Sequence, residues 1–339
     1  MRKVLFFFLA TTLMCAQKTE TIKLSQSVKS KKINYKSFTV IDERENQEIG
    51  SVMYHKDQVN LVFENNADKD FKDWFYSDNP VRGNDELVLL LENIKLSEDK
   101  HEKFSIGKLE IRASTFLKKD DGYHLLYRKD TLATVSTRTT PYLAQSLAKK
   151  FSLTFSELLK GSYEAKPWEI PVSEDELPNY ATILKDKLDI YKTDDLKEGV
   201  YKDYYSFFTH NPEPGFTIET DKKGIATKAV NGDNKIPIRY YYAFVHNGVP
   251  YKVIPLGYVE IFKDDKGLFI EVKKEELYPQ TYSSSNAMVG GAVGGLVGSL
   301  VGAAIDASAA RKRQAVTGSE VFLDPLTGHY VLPEDFLKK

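Results

Sequence analysis

Cysteine is almost missing from this 339-residue chain: Cys15 stands alone, which excludes a disulfide framework and any multi-cysteine metal site. A surplus of one charge is missing too. The 47 Lys plus Arg face 48 Asp plus Glu, a formal charge of −1, whereas nucleic-acid binding through bulk electrostatics needs a clear basic excess. The six histidines, His55, His101, His124, His210, His246 and His329, form no His-x-His or His-x-x-x-His pair. No Gly-x-Ser-x-Gly elbow and no phosphate loop ahead of Lys-Ser/Thr occurs. Asp68, Asp70 and Asp73 resemble a fragment of a calcium loop, but the sixth-position glycine and the acidic twelfth position are absent. No catalytic residue, metal ligand or cofactor is therefore assigned, and no nucleic-acid partner is expected.

What the chain has is core material: 42% hydrophobic residues, with 20 Tyr and 19 Phe, enough to exclude a disordered chain and to fill two domains. Residues 1–16 read as a signal peptide, with Arg2 and Lys3 ahead of an apolar stretch from Val4 to Met14 that is too short to span a bilayer. Cleavage after Ala16 leaves a mature chain without cysteine, and losing Arg2 and Lys3 moves the charge two units, to −3. Lipidation at Cys15, where Met14 stands in place of the usual small residue, and an uncleaved anchor are the competing readings. Each reading implies export to the periplasm or cell envelope.

The patterning predicts α+β architecture. Residues 33–161 read as one domain, an antiparallel sheet covered by a helix. Its strands are expected at 35–42, 49–54, 59–64, 86–96, 104–117 and 123–135, with a short helix over 70–76. The run Leu87–Leu91 has no polar residue, as in a strand buried on both faces. Asp121-Gly122 marks a hairpin, and a long helix is expected to start with Thr140 as cap and Pro141 at its first position and to stop at Gly161. Residues 162–196 form a linker with a short helix, and residues 197–336 a second, mainly β domain. Its strands are expected at 217–220, 235–246, 250–256, 257–263 and 267–272, with a last hairpin over 321–332. In the strand carrying Tyr240, Tyr241 and Tyr242, alternation places Tyr240 and Tyr242 on one face, a candidate aromatic binding platform.

Two resemblances follow. Gly199-Val200-Tyr201, Tyr205, Phe207, Asn211-Pro212, Asn247-Gly248-Val249-Pro250-Tyr251 and the closing Leu323-Asp324 with Gly328 resemble an uncharacterised group of exported bacterial β-rich proteins across residues 197–336. That likeness implies a fold and no activity. The paired strands and covering helix of residues 33–161 are more loosely similar to the auxiliary lipoproteins of bacterial ABC transporters, which implies an accessory role beside an envelope transporter.

The most distinctive stretch is 287–305, nineteen residues without a charge. Gly290, Gly294, Gly298 and Gly302 recur every fourth residue, which on a helix gives one bare face for close approach of another backbone. A membrane span is one reading, with Arg311-Lys312-Arg313 on the cytoplasmic side. A buried or self-associating segment that makes a homo-oligomer is the other, and pairing of the 321–332 hairpin with the domain's sheet would keep both ends of the segment on one side. The resulting expectation is an exported, non-catalytic envelope protein, binding or structural. The alternatives are a transporter accessory protein and a hydrolase with carboxylates drawn from distant strands.

Overall fold

The computed structural model describes residues 18–30, 35–81, 83–193, 195–279, 318–333 and 336. The leader with Cys15 and the stretch 287–305, with Gly290, Gly294, Gly298 and Gly302, lie outside the described residues.

The architecture is mixed α+β, with the second part mainly β. Strands β1 (Lys18–Thr21), β3 (Ser51–Tyr54) and β4 (Asp57–Val62) form a small sheet in the order β1-β4-β3. Strand β2 (Tyr35–Asp42) instead joins β5 (Asp85–Lys100), β6 (Ser105–Lys119), β7 (Gly122–Ser136) and the two-residue β8 (Pro171–Val172) in a five-stranded sheet. Here the expected antiparallel sheet is corrected. β2 runs parallel to β5, with Phe38 opposite Leu87 and Val40 opposite Leu89, because the helix α1 (Ala67–Asp78) supplies the crossover that parallel neighbours need. Asn66 caps α1 by accepting from Lys69 N at 2.9 Å. The three aspartates of the calcium-like fragment are engaged within this helix start. Asp68 and Asp73 pair with Lys72 and Lys69 one turn away, and Asp70 accepts from Glu64 N at 2.8 Å.

Both faces of the five-stranded sheet are covered. Leu87, Leu89 and Leu91 enter one core with Phe71 and Phe75 of α1 and Phe151, Phe155 and Leu158 of the long helix α2 (Leu143–Glu164). Val88 and Leu90 point the other way, with Phe116 and Leu125, into a second core. The expected helix ends are both displaced. Pro141 precedes α2, where Thr140 accepts from Tyr142 N at 3.2 Å, and the helix runs through Gly161 to Glu164. Gly161 is a packing glycine: a Cβ there would stand 2.7 Å from Cε1 of Tyr127.

Residues 162–196 fill the second core more than they link. Trp168 is buried and donates its backbone N–H to Leu125 O at 2.9 Å, and Tyr180 and Leu184 of α3 (Tyr180–Lys187) are buried beside it. On the far side lies an antiparallel seven-stranded sheet, ordered β18-β17-β16-β15-β14-β13-β9. Its strands are β9 (Gly199–Tyr201), β13 (Ala243–His246), β14 (Val249–Ile254), β15 (Gly257–Asp264), β16 (Gly267–Val272), β17 (Ser319–Leu323) and β18 (Tyr330–Val331). A small sheet of β10 (Thr217–Thr220), β11 (Ala226–Asn231) and β12 (Asn234–Pro237) covers part of its outer face around Phe244 and Tyr258. Short helices α4 (Tyr204–Phe208) and α5 (Lys274–Leu277) complete the body.

The expected strand over 235–246 is broken. Pro237 ends β12, a single 3-10 turn follows at Ile238–Tyr240, and pairing resumes at Ala243. Asn247-Gly248 makes the expected tight hairpin, with both residues at positive φ (55° and 76°). The last hairpin adds to the sheet edge, so that Ile270 lies opposite Val321 and Val272 opposite Ser319.

Gly161→Val tests the α2 contact. A β-branched side chain pressed into Tyr127 should lower unfolding stability by about 1–3 kcal/mol in urea titration, and a Tyr127→Leu background should recover most of the loss.

Candidate functional site

A β-bulge builds the first element of the site. Between Leu91 and Asn93 the register of β5 against β6 shifts, leaving Glu92 unpaired in the ladder and turned toward the second core. There it accepts from the Ser114 hydroxyl at 2.9 Å and the Tyr180 hydroxyl at 3.2 Å. Arg128 of β7 closes the network: its Nη1 donates to the Tyr180 oxygen at 2.7 Å, and its Nη2 stands 3.4 Å from Glu92 and 3.7 Å from Asp130. Ser114 and Tyr180 also share a hydroxyl contact. Burial drives the Tyr180 phenol well above its ordinary value, offset only in part by the Arg128 charge. Among the described residues, Arg128 Nε has no hydrogen-bond partner.

Arg128 also lines a cleft of about 810 Å³ between the two halves. One wall is α3 and the turn after it, with Ala181, Lys185 and Tyr191. The opposite wall is the β15–β16 turn, with Lys266 and Gly267, and the segment from Phe322 to Leu326. Two of the cleft's carboxylates hold turns together. Asp264 accepts from the backbone N–H of Lys266 and Gly267 at 2.9 and 3.0 Å. Asp324 accepts from Leu326 N at 2.9 Å and the Thr327 hydroxyl at 2.7 Å. The Leu323-Asp324…Gly328 pattern is thus a self-capped turn, with Gly328 at φ 69° pressed so close to Tyr204 that a Cβ would stand 2.7 Å away.

The second element is a buried amine. Lys252 of β14 donates to Val253 O at 2.8 Å and Tyr242 O at 3.1 Å, and its Nζ lies 3.9 Å from the centre of the Tyr242 ring and 5.7 Å from that of Tyr330. Desolvation alone pushes its pKa down to about 7.

The structure separates the two tyrosines of the expected platform. The 3-10 turn leaves Tyr240 64% exposed beneath the Arg239 guanidinium, while the Tyr242 ring is turned inward against Lys252. They share no face, because the unbroken strand that would align them is interrupted. The histidines do local structural work. His210 Nε2 accepts from Lys197 N at 2.6 Å, and the His124 ring stands between Asp121 and the Trp168 carbonyl. Burial, followed by the nearby Lys129, lowers the pKa of His329. Among the described residues no three His, Cys, Asp or Glu side chains are grouped to hold a metal ion.

Arg128, Glu92, Tyr180 and Lys252 carry no motif in the sequence. Only Lys252 leaves a trace, since strand alternation places it on the same face as the apolar Ile254. The chain matches no protein-family model, no curated protein and no solved structure.

Two substitutions probe these elements. Glu92→Ala leaves the buried Arg128 with only the longer carboxylate contact, to Asp130, and should cost about 3 kcal/mol in chemical denaturation, with Arg128→Met in the same chain recovering part of it. Lys252→Met should stabilise the protein most at pH 6. Unfolded lysine holds its proton up to a pKa of about 10.4, so the penalty for the native amine is complete below pH 7 and fades as pH rises toward that value. Melting curves from pH 6 to 10 should therefore show the advantage of the variant shrinking with pH.

Proposed function

We propose that this is an exported, non-catalytic envelope protein, whose folded body is a binding module held to a membrane through the uncharged stretch 287–305. The observation that carries the reading is the pairing of β16 with β17. Val272 lies opposite Ser319, so the chain leaves and re-enters the sheet at neighbouring positions. A single crossing that deposits Arg311-Lys312-Arg313 on the far side does not fit those fixed ends. The return through residues 306–317 would draw Asp306 and three cations back through hydrocarbon, where charged groups and unpaired backbone are both costly. The attachment compatible with the sheet is re-entrant, entering and leaving on one side. Among the described residues, no helix is long and apolar enough to cross a membrane.

A binding rather than catalytic body is supported by the local engagement of three carboxylates. Asp264 and Asp324 of the cleft accept from turn amides, and Glu92, behind the cleft's Arg128, is held by Arg128, Ser114 and Tyr180. Asp186 and Asp265 are exposed on the cleft lining.

Alkaline carbonate extraction should leave the wild-type chain in the membrane fraction and release a variant with 287–305 replaced by an equal length of Gly/Ser. In a Cys15→Ala chain, Ser308→Cys and the surface variant Tyr240→Cys should label from the same side of the membrane. Full release of the wild type, retention of the linker variant, or labelling from opposite sides overturns the reading.

A further inference from the structure

Gly267, a buried glycine on the cleft lining, marks a point where polar groups converge. With φ at 145° it has no side chain, and a Cβ built there would stand 3.7 Å from the Tyr191 hydroxyl and 3.8 Å from Lys185 Nζ. The Tyr191 hydroxyl is buried and has no partner among the described residues. Lys185 Nζ donates to the Lys266 carbonyl at 3.0 Å and lies 5.6 Å from the centre of the Tyr191 ring. Both contacts leave its charge uncancelled. Lys266 Nζ stands over the Phe322 ring at 6.0 Å, again on a neutral group. Neither lysine forms an ion pair among the described residues.

Four carboxylates also line the cleft. Asp264 and Asp324 accept the turn hydrogen bonds described above, Asp186 and Asp265 are exposed, and among the described residues none of the four pairs with Lys185 or Lys266. Beyond this polar end the wall turns apolar, through Ala181, Leu323, Pro325, Leu326 and Val331. The volume, about 810 Å³, is that of a small-molecule site, and such sites favour junctions between domains.

We propose that this cleft binds an anionic ligand with an apolar body. Its oxyanion head accepts from the Tyr191 hydroxyl and the Lys185 ammonium beside Gly267, with Lys266 at the rim, and its apolar part lies along Leu323 and Leu326. An unpartnered buried hydroxyl beside an uncancelled ammonium suits an acceptor carrying negative charge, and a neutral or cationic head would leave one or both unsatisfied. The Asp264–Gly267 pair on the cleft lining lies at the opposite end of β16 from Val272, where the chain departs toward 287–305.

Calorimetric titration of the full mature chain with octanoate, octyl phosphate, octan-1-ol and acetate tests this. At least one of the two eight-carbon anions should bind at least about tenfold more tightly than octanol and acetate, a gap of about 1.4 kcal/mol. The tighter of the two identifies the head group as carboxylate or phosphate. Lys185→Met and Tyr191→Phe should each weaken that binding about tenfold, with melting temperatures unchanged as the control for folding. Octanol binding as tightly as the anions, no binding by either anion, or full affinity in both variants overturns the proposal.

Discussion

The run Leu87–Leu91 carries no polar side chain on either face, so β5 cannot lie at a surface on either side. Everything else in the body follows from covering it twice. One cover is helical: α1 and α2 bury Leu87, Leu89 and Leu91, and Gly161 lets α2 approach Tyr127 closely enough to seal that side. The other is assembled from distant chain, namely Trp168, Tyr180 and Leu184 from residues 162–196 and the inner face of the seven-stranded sheet. A stretch rich in proline and polar residues thus becomes the filling between two sheets. Its aromatic side chains supply apolar area where the two sheets would otherwise leave a gap.

Burying both faces also creates the polar problem that the site answers. A bulge at Glu92 and the inward-facing Arg128 place a carboxylate and a guanidinium in the second core, where neither could remain charged alone. Tyr180 and Ser114 complete their hydrogen bonding. Lys252 meets the same problem without a carboxylate, donating to two carbonyls while burial pushes its pKa down to about 7.

The cleft lies where this core reaches the surface. Asp264 and Asp324 hold its turns by accepting from their own backbones, and Lys185 and Lys266 contact only neutral groups. The paired strands β16 and β17 fix a direction as well, with the cleft at one end and the departure of the chain at the other.

Local order was written plainly in the residues. Asn247-Gly248 and Asp121-Gly122 demand tight hairpins, the spacing of Phe71, Trp74 and Phe75 demands a helix, and Leu87–Leu91 demands double burial, because each depends only on backbone sterics and on period. The helix stop was misplaced at Gly161 because a good stop signal and a good packing contact use the same residue type. Tyr240 and Tyr242 parted because Pro237 interrupts a strand that alternation alone treats as continuous. The site was illegible for a more basic reason. Arg128, Lys185, Tyr191, Gly267 and Leu326 are far apart in the chain, and each is ordinary in its own neighbourhood. Periodicity reports which face a residue takes, but which faces meet is decided by long-range packing, and only the packed sheets bring these residues to one cleft.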